Sequence, residues 1–241
     1  MLHVDSPLKN LPANLDRGQA FFFDGLRHAY EICEVSYSRL CRSLNELSHR
    51  VENNNIPNGY AEYYLDAWAF VDSCDKFVSL WVKQPNAETI PGAFSPENVK
   101  LAFASVRKIR NIADHLASNK NRLLSLNCAA YGVLSWISFS ELNPPHAKTY
   151  LISPGILIGE LKVKFTVPET IYGLEHMIGH VTLKAGTHTA DLTKSRATVQ
   201  AIIGYLEQYL AILPRPAGAE VLPCDLIAKA DVEMHVSQAA T

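Results

Sequence analysis

The chain has 241 residues, of which 48% are hydrophobic and 19% are charged, and its formal net charge is −2. These values exclude a disordered protein, which would combine few hydrophobic residues with a large net charge. They also exclude nucleic-acid binding driven by overall charge, so such binding would need a local basic patch. We find no run of 18 apolar residues and no basic segment followed by an apolar stretch at the start of the chain. The expectation is a soluble, cytoplasmic protein without a membrane span.

The five cysteines are odd in number, widely spaced and without a C-x-x-C pair. Three of them fall among the apolar residues of predicted helices, which indicates buried thiols in a reducing compartment and not a disulfide framework or a zinc site. The cysteines are Cys33, Cys41, Cys74, Cys128 and Cys224.

Two long helices are predicted first. Apolar residues recur every three or four positions from Asp16 to about Val51 and again from Tyr60 to Val82, with an asparagine- and proline-containing loop between the two segments. The second helix carries three aspartates, most of which we expect to be surface acids, although one that faces Arg110 could orient its guanidinium. These aspartates are Asp66, Asp72 and Asp75.

The third predicted helix spans Ser95 to Asn119. Ser95 is a suitable N-cap and Pro96 falls at the first helical position, where its missing N–H costs nothing. Its apolar stripe consists of Val99, Phe103, Val106, Ile109, Ala113 and Leu116. At about 100° per residue, five polar residues fan out from the edge of this stripe towards the opposite face. In angular order they are Arg110, Asp114, Arg107, Asn111 and His115.

A local basic patch coincides with this helix. Between Pro96 and Arg122 there are six basic and two acidic residues, a local charge of +4. This patch is as consistent with a solvated helix face as with a phosphate-binding surface. The basic residues are Lys100, Arg107, Lys108, Arg110, Lys120 and Arg122.

Strands are predicted after the third helix. Alternating apolar residues begin within 128–139, a loop follows at Asn143–Pro145, and the segments 149–152 and 161–167 read as a hairpin. A second hairpin, 181–184 with 187–190, turns at Ala185–Gly186. A last helix follows, capped by Asp191 or Thr193, and Pro214 ends it.

The pattern predicts a mainly α fold of the α+β class. We expect an antiparallel four-helix bundle with a small antiparallel sheet inserted at about 128–190, between the third and fourth long helices. Residues 1–213 would form one domain, and residues 214–241 a loosely ordered tail in which 225–236 could dock as a short helix.

The sequence from Arg110 to His115, R-N-I-A-D-H, resembles the R-x(4–6)-H motif of the HEPN superfamily. Members of this family are small four-helix bundles, many of them metal-independent ribonucleases, and the motif lies late in their third helix. Arg42 and His49 satisfy the same loose pattern. The Asn directly after Arg110 and the position on the third long helix favour the match at Arg110.

This resemblance implies a metal-independent endoribonuclease that leaves 2′,3′-cyclic phosphate ends and needs no cofactor. His115 would act as general base or acid, Arg110 as the clamp for the phosphate and its transition state, and Asn111 as a positioning residue. Arg107 and Lys108 would bind the RNA backbone. Because Arg110 and His115 lie about 140° apart around one helix, the family's homodimer would complete the site. The family also includes toxins and phage-defence effectors, which implies a neutralising antitoxin partner.

Two alternatives remain open. In the first, the chain is a non-catalytic HEPN-like bundle that binds a nucleotide, RNA or a protein, and Arg110 only pairs with Asp114 one turn away. In the second, Glu175, His176 and His180 hold a metal ion. Gly179 weakens a helix at that point and the segment lies between predicted strands, so we expect ordinary turn histidines and no metal.

Overall fold

The computed structural model describes residues 1–125, 129–153, 168, 171, 173–213, 225 and 227–229. Its first two helices follow the sequence prediction to within about one residue. Helix α1 spans Arg17–Glu52, and Asp16 caps it by accepting hydrogen bonds from the backbone N–H groups of Gly18 and Gln19. Helix α2 spans Ala61–Lys83 and packs along α1. Their apolar stripes form the centre of the molecule.

The prediction of one continuous third helix is wrong. Two short 3-10 helices, Ala87–Thr89 and Gly92–Phe94, lead into α3, which spans Pro96–Ala102, and α4 spans Ala104–Asp114. The chain bends at Phe103, a fully buried residue with φ −101° and ψ 12°. Both halves pack on α2, and the bend lets α4 also contact strands of the sheet. Apolar residues keep their spacing of three or four positions through the bend, so the sequence did not reveal the bend.

A four-stranded antiparallel sheet follows α5, which spans Lys120–Ser125. The strands are β1 (Val133–Leu142), β2 (Pro145–Ile152), β3 (Ile178–Ala185) and β4 (His188–Asp191), in the order β2-β1-β3-β4. The hairpin predicted at Ala185–Gly186 is confirmed as β3–β4. The segment predicted at 149–152 belongs to β2 and pairs with β1. Its predicted partner, 161–167, lies outside the described residues.

The last helix, α6, spans Leu192–Ala211. Asp191 is its N-cap, because the carboxylate accepts from the Lys194 backbone N–H at 2.8 Å. Thr193, the other predicted cap, instead accepts from the Val181 N–H and bonds the Tyr37 hydroxyl, so it joins α6 to β3 and α1. Most of the predicted tail lies outside the described residues.

Helices and sheet share one hydrophobic core, which makes the fold a mixed α+β structure. Trp81 and Phe77 of α2 belong to the same buried cluster as Trp136 of β1 and Leu183 of β3. The sheet is therefore part of the core and not an appendage. No helix within the described residues is long and apolar enough to cross a membrane.

The cysteine prediction is confirmed for the three helical positions. Cys33, Cys41 and Cys74 are free and buried. Burial raises the pKa of the Cys41 thiol to about 12 and that of Cys74 well above its ordinary value. Cys128 and Cys224 lie outside the described residues.

Candidate functional site

The residues of the predicted motif lie at the C-terminal end of α4. Arg107, Arg110 and Asn111 are within the helix, with Asn111 exposed and Arg110 at the half-buried edge of the apolar stripe. This agrees with their predicted angular positions. His115 lies beyond the last helical residue and is the C-cap.

Arg110 is held by three carboxylates. Its Nε lies 3.3 Å from Asp72 Oδ1 and 3.4 Å from Asp75 Oδ2, and its Nη1 lies 2.9 Å from Asp114 Oδ2. Arg107 joins the same network, with its Nε 3.2 Å from Asp75 Oδ1. Two of the three aspartates that the sequence singled out on α2 thus orient Arg110, and Asp114 adds the expected pair one turn away.

The charges of this network balance. Lys76 pairs with Asp72 at 2.6 Å, so three cations face three carboxylates within the described residues. Partial burial opposes ionisation of Asp72, but Lys76 and Arg110 together lower the pKa of its carboxyl group. Burial likewise disfavours the charged form of Arg110, yet Asp72, Asp114 and Asp75 raise its pKa. Arg110 is a fixed, permanently charged group, but its charge is compensated.

His115 is positioned differently from the prediction. The helix ends at Asp114, so His115 leaves the helical spiral with φ −114° and ψ 30°. Its side chain is exposed, as expected, and its imidazole makes no hydrogen bond or ion pair with the described part of the chain. The backbone carbonyl of His115 accepts from the Asn119 N–H at 2.9 Å. The ring is therefore accessible to a ligand.

The basic patch is smaller than the sequence suggested. Two carboxylates of α2 lie against Arg107 and Arg110, which the count along α3 to α5 could not include. Lys100, Lys108 and Lys120 remain exposed, and none forms an ion pair with the described acids.

A second arginine network lies between α1 and α6, and sequence reasoning missed it. Arg196 Nε and Nη2 each donate to Glu34 at 2.9 Å, and Nη1 donates to Glu175 Oε2 at 3.0 Å. The guanidinium carbon lies 4.8 Å from the centre of the Tyr37 ring. Ser38 donates to the other oxygen of Glu175 at 2.8 Å. Glu34 is separated from Arg196 by 162 positions, so no local pattern could have paired them.

The segment predicted as a possible metal site forms a tight turn and the start of β3. His176 and Met177 both have positive φ, 50° and 62°, in a turn closed by paired backbone hydrogen bonds between Glu175 and Ile178. His180 also has positive φ and lies where the β1–β3 register shifts. Among the described residues, no group of three or more potential ligands is placed to hold a metal, and Glu175, His176 and His180 do not form one.

An open apolar groove of about 880 Å³ runs along α2 beside the Arg110 network. Leu65 is 64% exposed and Tyr131 60% exposed, and Trp68 lies between them with its Nε1 donating to the Tyr131 carbonyl. Asp72, which contacts Arg110, lines the end of this groove. Exposed apolar surface of this kind is typical of protein–protein contacts.

Comparison with known proteins gives no relative: no family model, no curated protein and no solved structure matches this chain. The resemblance to the HEPN superfamily therefore rests on the motif at Arg110–His115 and on the pattern of helices.

Proposed function

We propose that this protein is a metal-independent endoribonuclease of HEPN type that acts as a homodimer. The observation that supports this most is that one end of α4 carries both an exposed imidazole, which has no partner among the described residues, and a guanidinium whose orientation is fixed. These are the two groups that RNA cleavage without metal requires, a proton carrier and a fixed positive charge.

In this proposal His115 takes the proton from the ribose 2′-hydroxyl or gives one to the leaving 5′-oxygen. Histidine suits this task because its unperturbed pKa, near 6.5, allows it to carry and release protons at neutral pH. Asn111, exposed one turn earlier, would hydrogen-bond the substrate and hold it against the ring. Lys108, which is exposed and unpaired with the described acids, would contact the RNA backbone together with Arg107.

Arg110 would stabilise the negative charge that gathers on the phosphate. Asp72 and Asp75, on a different helix, hold its Nε edge, so the guanidinium needs little reorganisation when substrate binds. Asp114 is 45% exposed and lies on the same short helix end, so it is the carboxylate that a phosphate would displace. Replacing Asp114 by Asn should then strengthen RNA binding.

A homodimer is part of the proposal because the HEPN resemblance implies that two copies of the Arg110–His115 motif together complete one site. The apolar groove along α2 ends at Asp72, so a second copy that covers Leu65, Trp68 and Tyr131 would lie next to Arg110. Burial of such side chains supplies the free energy for association. A neutralising antitoxin is a further partner that this type of activity would require.

A non-catalytic binding protein is the second candidate, and a specific observation favours it. The three carboxylates around Arg110 balance the nearby cations, which is the arrangement of a structural network. In this case the apolar groove would bind a protein partner, and His115 would have no role.

RNA cleavage by the full chain distinguishes the two candidates. We expect purified protein to cut RNA in the presence of EDTA, leaving 2′,3′-cyclic phosphate ends, and His115→Ala to reduce the rate by about 10² to 10⁴. His49→Ala is the matched control. His49 is also an exposed histidine, and it follows Arg42 on α1 at a spacing that satisfies the same R-x(4–6)-H pattern. It should retain the parent rate.

Two results would decide against a metal-independent enzyme that uses His115. One is a folded His115→Ala protein that cuts RNA, or is toxic to cells, at the parent level. The other is cleavage that stops on chelation and returns with zinc or manganese, which would indicate metal-dependent chemistry. A monomer mass by light scattering at tens of micromolar would exclude the composite site.

A further inference from the structure

A second, more enclosed cavity of about 200 Å³ lies on another part of the helical layer. It is formed where α1 begins, α2 ends and α6 reaches its last turns. Among the described residues, four aromatic side chains contribute to its walls. They are Phe23, Trp81, Tyr205 and Tyr209.

The aromatic walls are fixed by their neighbours. Trp81 is fully buried, and its Nε1 donates to the Phe94 carbonyl at 2.8 Å, so the indole supports the wall from behind and offers no donor. The Tyr205 ring lies 6.3 Å from the Trp81 ring in an edge-to-face arrangement and 5.1 Å from the Phe94 ring. Such packing leaves the Tyr205 ring little freedom, and Tyr209, 39% exposed, adds a second aromatic side chain that a ligand can reach.

The polar side chains that line the cavity within the described residues are neutral, and three of them are amides. Gln84, 7% exposed, donates from Nε2 to the Trp81 carbonyl at 3.2 Å, which leaves its side-chain oxygen as an acceptor. The side chains of Gln19 and Asn86 form no hydrogen bond with the described residues, so each offers both donors and an acceptor. No charged side chain is among the described residues that line this cavity.

We propose that this cavity binds an uncharged, planar heterocycle of the size of one nucleobase. Aromatic walls favour a flat ring, and amide groups at the rim match the donors and acceptors on the edge of such a ring. The volume is below the range of about 300–1,000 Å³ that drug-sized ligands occupy. Without a cation among the described lining residues, a phosphate would not be stabilised, so the ligand is the free base and not the nucleotide.

This proposal does not depend on ribonuclease activity. Asp75 and Gln84 are nine residues apart on α2, which places them on opposite sides of the helix and roughly 14 Å apart along it. The cavity is therefore separate from the Arg110 network.

Calorimetric titration of the full chain with free adenine, cytosine and uracil provides the test. We expect at least one base to bind with a Kd of about 1 mM or tighter. Removing an amide should raise that Kd by roughly fivefold, because that factor corresponds to the net free energy of one neutral hydrogen bond. Asn86→Gly does this without backbone strain, because Asn86 has φ 61° and glycine accepts that conformation.

Asn54→Gly is the matched control, since Asn54 also has positive φ, 55°, but does not line the cavity. It should leave the Kd within about twofold of the parent, and Gln19→Ala should behave like Asn86→Gly. The proposal is overturned if no base binds at about 5 mM, as would happen if the chain beyond Leu213 fills the cavity. It is also overturned if bases bind equally well to the parent, Asn86→Gly and Gln19→Ala proteins.

Discussion

Arg196 and Arg110, two of the arginines that pair with carboxylates in this protein, have different surroundings. Arg196 is 17% exposed, lies over the Tyr37 ring and has Glu34, a nearly buried partner, on its bidentate side. Arg110 is 32% exposed, and two of its three partners, Asp72 and Asp114, are more than 40% exposed. The first network is enclosed between α1, α6 and the turn before β3. The second borders solvent, beside an exposed histidine and an apolar groove.

The comparison shows that ion-pair geometry alone does not indicate a role. A buried arginine–glutamate network joins distant segments, and removal of its arginine leaves carboxylates inside the protein without their cation. An exposed network of the same composition contributes little to stability, because water screens its charges. The Arg196 network is therefore the more enclosed of the two, whereas the Arg110 network is more accessible to solvent.

The largest expected effect separates the two networks by stability. Arg196→Ala should lower the free energy of unfolding by about 3 kcal/mol, because Glu34 and Glu175 lose their shared partner inside the protein. Arg110→Ala should lower it by about 1 kcal/mol or less, since solvent replaces the lost contacts. Urea denaturation followed by circular dichroism measures both.

Equal losses of unfolding free energy in Arg196→Ala and Arg110→Ala would contradict this distinction between the two networks. Arg196→Lys is a useful companion, since it keeps the charge but cannot bond Glu34 through two nitrogens. It should recover only part of the stability lost in Arg196→Ala.

Acidification provides a smaller effect that acts on both networks. Burial opposes ionisation of Glu175. The hydrogen bond from Ser38, together with the charge and hydrogen bond of Arg196, nevertheless lowers the pKa of Glu175 below the ordinary 4.5. A carboxyl group whose pKa is lower in the folded state adds stability above its unfolded pKa and loses it as pH falls through the folded pKa. Stability should therefore decline below about pH 4.5, and Glu175→Gln should flatten that decline.

Asp72→Asn tests the same linkage in the exposed network, where Lys76 and Arg110 lower the aspartate pKa. Unfolding free energies measured between pH 3 and pH 7 would show the effect of each variant. A decline that is as steep in both variants as in the parent would indicate that other carboxylates govern acid stability.

The smallest expected effect concerns the turn that supports Glu175. Met177 has φ 62°, a conformation that costs about 1–2 kcal/mol for a residue with a side chain but little for glycine. Because glycine also loses more chain entropy on folding, Met177→Gly should stabilise the protein by about 0.5 kcal/mol. Thermal unfolding measures this change, and Met177→Ala, which keeps a Cβ atom, should not reproduce it.

The sequence by itself determined the elements whose signals are local. The limits of α1 and α2, the Ser95 cap and the hairpin at Ala185–Gly186 follow from apolar periodicity, capping side chains and turn residues within a few positions. The exposure of Asn111 and the intermediate burial of Arg110 follow from their angles around a helix. These features needed no knowledge of distant residues.

Only the tertiary structure decided what surrounds those residues. The bend at Phe103 preserves the apolar period, so it leaves no mark in the sequence, yet it brings α4 against the sheet. The hydrogen bonds of Arg196 to Glu34 and Glu175 join segments up to 162 positions apart in the sequence. Contacts at such a sequence separation depend on how helices and strands pack. The charge of Arg110 is compensated for the same reason, because Asp72 and Asp75 reach it from another helix.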